Sequence, residues 1–279
     1  MANVEFVPMS VGQVLDRTFK LYKESFLRYV AIVAVVQVPI TLLALLLIGM
    51  IGGTFAANNG EAGEEMAVAT IIGAVITLFL SIVASALCQG ALCKSVSESY
   101  LGREVSVGEA YKFALPKLWT LIVAAIMVGL SVMGGMILLI VPGIIFALWL
   151  LLTTPVIMIE NTKATKAMGR SKFLVSGNLG KAFILAFCVL AITWILGMLF
   201  GLIATAIAKP MAGGNAMASM LIQQFGSMIG QILAAPIASA AYILFYYDLR
   251  IRKEAFDLEM LAKSIGSEET SIGAAIQRP

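Results

Sequence analysis

Five stretches of this chain carry no charged side chain, and the longest, Leu118–Ile159, runs for 42 residues. The others are Tyr29–Gly60, Met66–Cys93, Ala182–Ala208 and Pro210–Tyr247. The hydrocarbon layer of a bilayer is about 30 Å thick and takes about 20 helical residues to cross. Each stretch can therefore span once, and Leu118–Ile159 can span twice. No water reaches a backbone in hydrocarbon, so every N–H and C=O needs a partner inside the segment, which selects helices. Val141-Pro142-Gly143 lies near the middle of the longest run. Proline opens turns and glycine tolerates left-handed backbone, so a tight hairpin is expected at Pro142 and Gly143. Six transmembrane helices follow, at about 30–52, 66–93, 118–140, 144–159, 182–208 and 220–247, the fourth of them short.

Composition excludes the main alternatives. The chain has 279 residues, 60% hydrophobic and 13% charged, with mean hydropathy +0.97. A soluble domain has about 45–50% apolar and about 25% charged residues. A soluble enzyme, a nucleic-acid module and a disordered chain are all set aside. There is no histidine, so no Ser/His/Asp set is possible and the usual proton shuttle is missing. Cys88, Cys93 and Cys188 lie inside apolar runs without metal-ligand spacing and read as buried thiols. The glycines are dispersed through apolar helices, so no phosphate loop or dinucleotide fingerprint appears. The expectation is no catalytic residue, no cofactor, no metal and no nucleic-acid partner.

Charge distribution sets the orientation. Lys and Arg total 19, and 18 fall before span one, between spans two and three, between spans four and five, or after span six. Only Lys209 falls on the other side, where Glu61, Glu64 and Glu65 also lie. The positive-inside rule then puts both termini in the cytoplasm. The chain divides into a cytoplasmic amphipathic helix (1–28), the six-span domain (29–247) and a cytoplasmic tail (248–279), helical to Lys263 and then disordered. The first span is not expected to be a cleaved leader. Its 28-residue flank contains Asp16 and Glu24, and its apolar stretch exceeds the roughly 7–15 residues of a leader.

A unit recurs in the pattern of letters: Ser10-Val11-Gly12-Gln13 is echoed by Ser106-Val107-Gly108-Glu109, each a capping box opening an amphipathic helix. A third amphipathic stretch runs from Asn161, read as its N-cap, to Ser176, with Gly177 as its stop. Each stretch precedes two spans, so the fold class is an all-α integral membrane protein of three helix-plus-hairpin units with cytoplasmic interfacial helices. Gly49-x-x-x-Gly53, Gly197-x-x-x-Gly201 and Gly226-x-x-x-Gly230 allow close helix approach, within one bundle or in a homo-oligomer. Pro39, Pro155 and Pro236 are expected to kink or end their helices.

No acid or base lies centrally in a span, and Gln37, Gln89, Gln223, Gln224 and Gln231 supply the polar groups there. The candidate site is at the cytoplasmic face: Asp16, Arg17, Glu160 and Arg170. An acid closing a helix opposes the dipole, so Glu160 needs a cation, from Arg17 or Arg170. The cluster reads as a salt bridge or as a lipid-phosphate site.

The motif Leu15-Asp16-Arg17-x-Phe19-x-Leu21-Tyr22-x-x-x-Phe26 resembles the opening of the membrane domain found in glycerophosphoryl diester phosphodiesterases. Leu115-Pro116-Lys117-Leu118, Val141-Pro142-Gly143-Ile144-Ile145, Pro155-Val156, Glu160 and Ala167-x-x-Arg170-Ser171-x-x-Leu174-x-x-Gly177 are similar to YciC-type bacterial inner-membrane proteins. The resemblance covers most of residues 8–250. It implies a six-helix bacterial inner-membrane (plasma-membrane) protein, and it carries no phosphodiesterase activity, because the catalytic domain of those enzymes is a separate soluble unit not expected here. The leading expectation is a non-enzymatic protein that organises lipid, including anionic headgroups, or a membrane-protein partner in the envelope. A permease or channel for a small or amphipathic solute is the alternative. A membrane-embedded lipid-headgroup enzyme comes third.

Overall fold

The computed structural model describes residues 8–57, 64–213 and 215–254. Its helices are α1 (Val11–Glu24), α2 (Phe26–Ala57), α3 (Glu64–Tyr100), α4 (Val107–Ala114), α5 (Leu118–Leu138), α6 (Ile140–Trp149), α7 (Thr153–Glu160), α8 (Ala164–Val175), α9 (Leu179–Met211) and α10 (Ala216–Glu254). No strand occurs among the described residues. Among the described residues, six segments are long and apolar enough to cross a membrane: α2, α3, α5, α6 with α7, α9 and α10. The protein is an all-α membrane protein. A short helix precedes a pair of spans three times over: α1, α4 and α8.

The helix starts follow local chemistry. Ser10 caps α1 and Ser106 caps α4, each accepting from the backbone N–H three residues on. Gln13 and Glu109 return bonds to the cap N–H groups at 2.7 and 2.9 Å. Both capping boxes are present as expected. Leu115–Lys117, with Pro116, forms one 3₁₀ turn that joins α4 to α5. Gly177, at φ +85°, follows the end of α8. Asn161 differs from expectation. It closes α7 in left-handed backbone (φ 52°, ψ 44°), and Lys163 is the N-cap of α8. Asparagine tolerates that conformation well, which suits it to stopping a helix.

The hairpin between spans three and four also differs. The bend falls at Leu139 (φ −164°, ψ 151°), and Pro142 and Gly143 sit in the first turn of α6. An N–H is surplus in a first helical turn, so Pro142 costs nothing there. Gly143 is needed for contact: a Cβ there would lie 2.8 Å from the Met136 backbone N, and one on Gly135 would lie 2.9 Å from the Gly143 Cα. Two glycines thus let α5 and α6 press together, and the packing sets the bend. The fourth span is broken rather than simply short, since α6 and α7 are separated at Leu150–Leu152. Ser171 on α8 repairs the break. Its Oγ donates to the Trp149 carbonyl at 2.6 Å and accepts from Leu152 N–H at 3.1 Å.

Pro39 and Pro236 lie inside α2 and α10 without ending them, and Pro155 sits in the first turn of α7. Of the glycine pairs, Gly226 and Gly230 pack α10 on α9, against Ala204, Phe200 and Gly197, while Gly49 and Gly201 face open space. The most enclosed span is α10, with 61% of its most apolar window buried, against 11% for α9. The core gathers around the last third of α10, where Tyr29, Ile32, Leu92, Leu152, Leu244 and Phe245 are fully buried. The expected helical tail to Lys263 is seen as far as Glu254, and 255–279 lies outside the described residues. Glu61 also lies outside them.

Candidate functional site

The basic helix ends converge at one end of the bundle, where α1, α4 and α8 pack across it. Val14, Thr18 and Leu21 of α1, Ala110 and Ala114 of α4, and Ala167, Leu174 and Val175 of α8 are buried against the spans. The apolar faces of these helices therefore seal the bundle, and their basic faces look outward.

Of the four residues singled out from the sequence, the structure joins two. Arg170 on α8 donates through Nε to both carboxylate oxygens of Glu160, each at 3.1 Å. Its Nη2 pairs with Glu254 at the end of α10. Glu160 also accepts from the Tyr246 hydroxyl at 2.8 Å, and Glu254 accepts from Arg250 at 2.9 Å. Burial alone would lower the pKa of Arg170, and its bonds to Glu254 and Glu160 turn the shift upward, so it is permanently charged. Arg170 is fully committed to two carboxylates, which favours the structural reading over a phosphate clamp. Arg17 is elsewhere: its guanidinium stacks over the Tyr100 ring at 4.8 Å. Asp16 is exposed on α1 and makes no ion pair among the described residues. The expected four-residue cluster is thus one pair, Glu160–Arg170, and two residues that do not join it. The helical stagger explains this, because Arg17 is drawn to an aromatic ring on α3 instead of the end of α7.

A second cluster escaped the sequence reading. Asp248 is fully buried, and it pairs with Lys181 and with Arg252, the latter at 3.1 Å. It also accepts the Met9 backbone N–H at 2.6 Å, while Arg252 donates to the Met9 carbonyl at 3.0 Å. One carboxylate therefore ties the start of α1, the start of α9 and the end of α10 together. The available signal was an acid ending an uncharged run with an arginine four residues later.

Two cavities lie deeper. The larger, about 580 Å³, sits among α2, α3, α9 and α10 and contains Gln37, Ser81, Ser85 and Gln231. Gln37 donates to Gln231 at 3.4 Å. The smaller, about 420 Å³, sits among α3, α5, α6, α7 and α10. Gln89, Ser239 and Tyr242 line both and form the wall between them. Gln37 and Gln89 each lie eleven residues inside their helices, about 16 Å from the basic end at 1.5 Å per residue. Below the cavities, the basic third of the bundle is filled by the fully buried side chains named above. Gln223 and Gln224 line a separate shallow surface hollow with Leu45 and Ser227.

Comparison with known proteins returns no match: no family model, no curated protein and no solved structure is similar to this chain. The class that fold and composition define is a multi-pass α-helical membrane protein.

Proposed function

We propose that this is a non-enzymatic protein of the bacterial inner membrane, with both termini cytoplasmic, that organises anionic lipid at the cytoplasmic leaflet. The observation that carries the reading is the rim of the basic end. Large apolar side chains stand exposed there, including Phe19, Leu27 at 78%, Leu115, Trp119 at 74% and Phe173. Interleaved with them are Lys20, Lys23, Lys112, Lys163 and Lys166, exposed and without an ion pair among the described residues. Aromatic and aliphatic groups beside free lysines suit the boundary between acyl chains and anionic headgroups. Each such lysine contributes about 1 kcal/mol near an anionic surface. The charge bias of the loops and the motif resemblance to YciC-type proteins support the compartment and orientation. The enzyme reading loses support because Asp16 and Glu160 do not meet. The transport reading would require the packed basic third to open.

The test is native mass spectrometry of protein taken from mixed phosphatidylcholine and phosphatidylglycerol membranes. Retained lipid should be enriched in phosphatidylglycerol. The combined Lys20→Gln, Lys23→Gln, Lys112→Gln and Lys166→Gln variant should lose that enrichment while staying folded. Equal enrichment in the variant would overturn the reading.

A further inference from the structure

Gln89, Ser239 and Tyr242 meet at membrane depth, and none makes a hydrogen bond among the described residues. Other hydroxyls in the same cavity are satisfied by their own helices: Ser81 donates to the Thr77 carbonyl at 2.7 Å and Ser85 to the Ile82 carbonyl at 3.0 Å. Unpaired polar groups in hydrocarbon are expensive, so three that meet on one cavity wall call for a hydrogen-bonding partner. The unpaired three come from two helices, α3 and α10, and share a single wall. Gln89 is exposed although its neighbours Cys88 and Gly90 are buried, because it faces into both cavities.

The lining defines the ligand chemistry. Among the described residues, no Lys, Arg, Asp or Glu lines either cavity. A phosphate there would be buried without a countercharge, which is prohibitive. A bare alkane would leave an amide and two hydroxyls unpaired. The remaining walls are mostly Ala, Val, Leu and Ile, with Gln37 and Gln231 bonded to each other in the larger cavity and Thr153 and Thr154 in the smaller, and the volumes fall in the range of about 300–1,000 Å³ that holds small ligands. We propose that the paired cavities bind an uncharged lipid ending in hydroxyl or ester groups. Gln89, Ser239 and Tyr242 hydrogen-bond its head, and the apolar walls take the first part of its chain. The inference stands apart from the headgroup reading: phosphatidylglycerol enrichment at the rim can fail while this site fills, and the reverse.

A diazirine-bearing dioleoylglycerol is the probe, photolysed with the full chain in phosphatidylcholine nanodiscs and mapped by peptide mass spectrometry. Crosslinks are expected on α3 between residues 81 and 92 and on α10 between 231 and 242. Unlabelled dioleoylglycerol or farnesol should compete, and whichever competes better identifies a glyceride or an isoprenoid alcohol as the natural class. Dioleoylphosphatidic acid should not compete. Gln89→Leu should lower labelling about tenfold, the loss of one well-made hydrogen-bonding group. Its unfolding midpoint should hold or rise, which a structural role for Gln89 would not allow. Ser239→Ala should act in the same direction and more weakly, and it serves if the first variant misfolds. Labelling confined to the outward face of α9, equal competition by phosphatidic acid, or no specific labelling, leaving water alone in the cavities, would overturn the proposal.

Discussion

The two ends of the bundle are held by different forces. At the basic end the core is solid, three short helices seal it, and the buried carboxylate of Asp248 has two cations and a backbone N–H around it. In the half beyond the cavities, α9 turns Trp194, Leu199 and Leu202 outward, and contact between helices runs through Gly226 and Gly230. The difference reflects the surroundings. Where water reaches, burying apolar surface drives helices together. In lipid that drive vanishes, because acyl chains are as apolar as leucine, and association rests on close packing of small residues and a few polar contacts. A half held so loosely can carry open cavities that the solidly packed basic end does not, although unpaired polar atoms occur in both, since the buried Ser95 hydroxyl near the end of α3 also lacks a partner among the described residues.

If that contrast is right, the largest loss comes from the basic end. Asp248→Ala leaves the Met9 N–H without its acceptor and Lys181 with only the Met9 carbonyl, and breaking a buried pair from one side costs about 3–5 kcal/mol. We expect it to give the steepest drop in the thermal unfolding midpoint in detergent, and to free the N-terminal segment for proteolysis ahead of Val11. A midpoint close to wild type would break the comparison. Arg170→Gln comes next. It removes the cation between Glu160 and Glu254, but these groups are each about a fifth exposed, so solvent screens part of the effect. About 2 kcal/mol is expected, on the scale of hydrogen bonds to charged groups. Loss of phosphatidylglycerol with an unchanged midpoint would instead assign Arg170 to lipid.

What could be read from the sequence follows the same division. The spans were legible because hydrocarbon thickness imposes a length on uncharged runs, and α1 and α4 because a capping box is local. The Glu160–Arg170 pair was legible in part: an acid at a helix end asks for a cation, but Arg17 and Arg170 were both open, and only the packing of α8 on α7 decides between them. Asp248 was not: beside Arg252 it reads as a solvent-facing pair, and the Met9 N–H that buries it is 239 positions away. The bend at Leu139 carries no turn chemistry and is decided by Gly135 meeting Gly143. The polar wall was half legible. Gln89 stood out in its run, but only the crossing of α3 and α10 puts it beside Ser239 and Tyr242.

The smallest effect should come from the looser half, and it sharpens the contrast most. Gln37 and Gln231 make a long bond at 3.4 Å between α2 and α10. Side-chain hydrogen bonds between membrane helices average about 0.6 kcal/mol, because the separated helices find other partners. Gln231→Leu should therefore shift the unfolding midpoint little, well under the Arg170→Gln change, even though it deletes a polar contact between two central spans. Measured beside Asp248→Ala in the same detergent, the pair gives the ratio that matters. A Gln231→Leu loss as large as that of Asp248→Ala would mean that polar contacts hold both halves alike, and that the cavities lie inside a rigid frame rather than a loosely associated one.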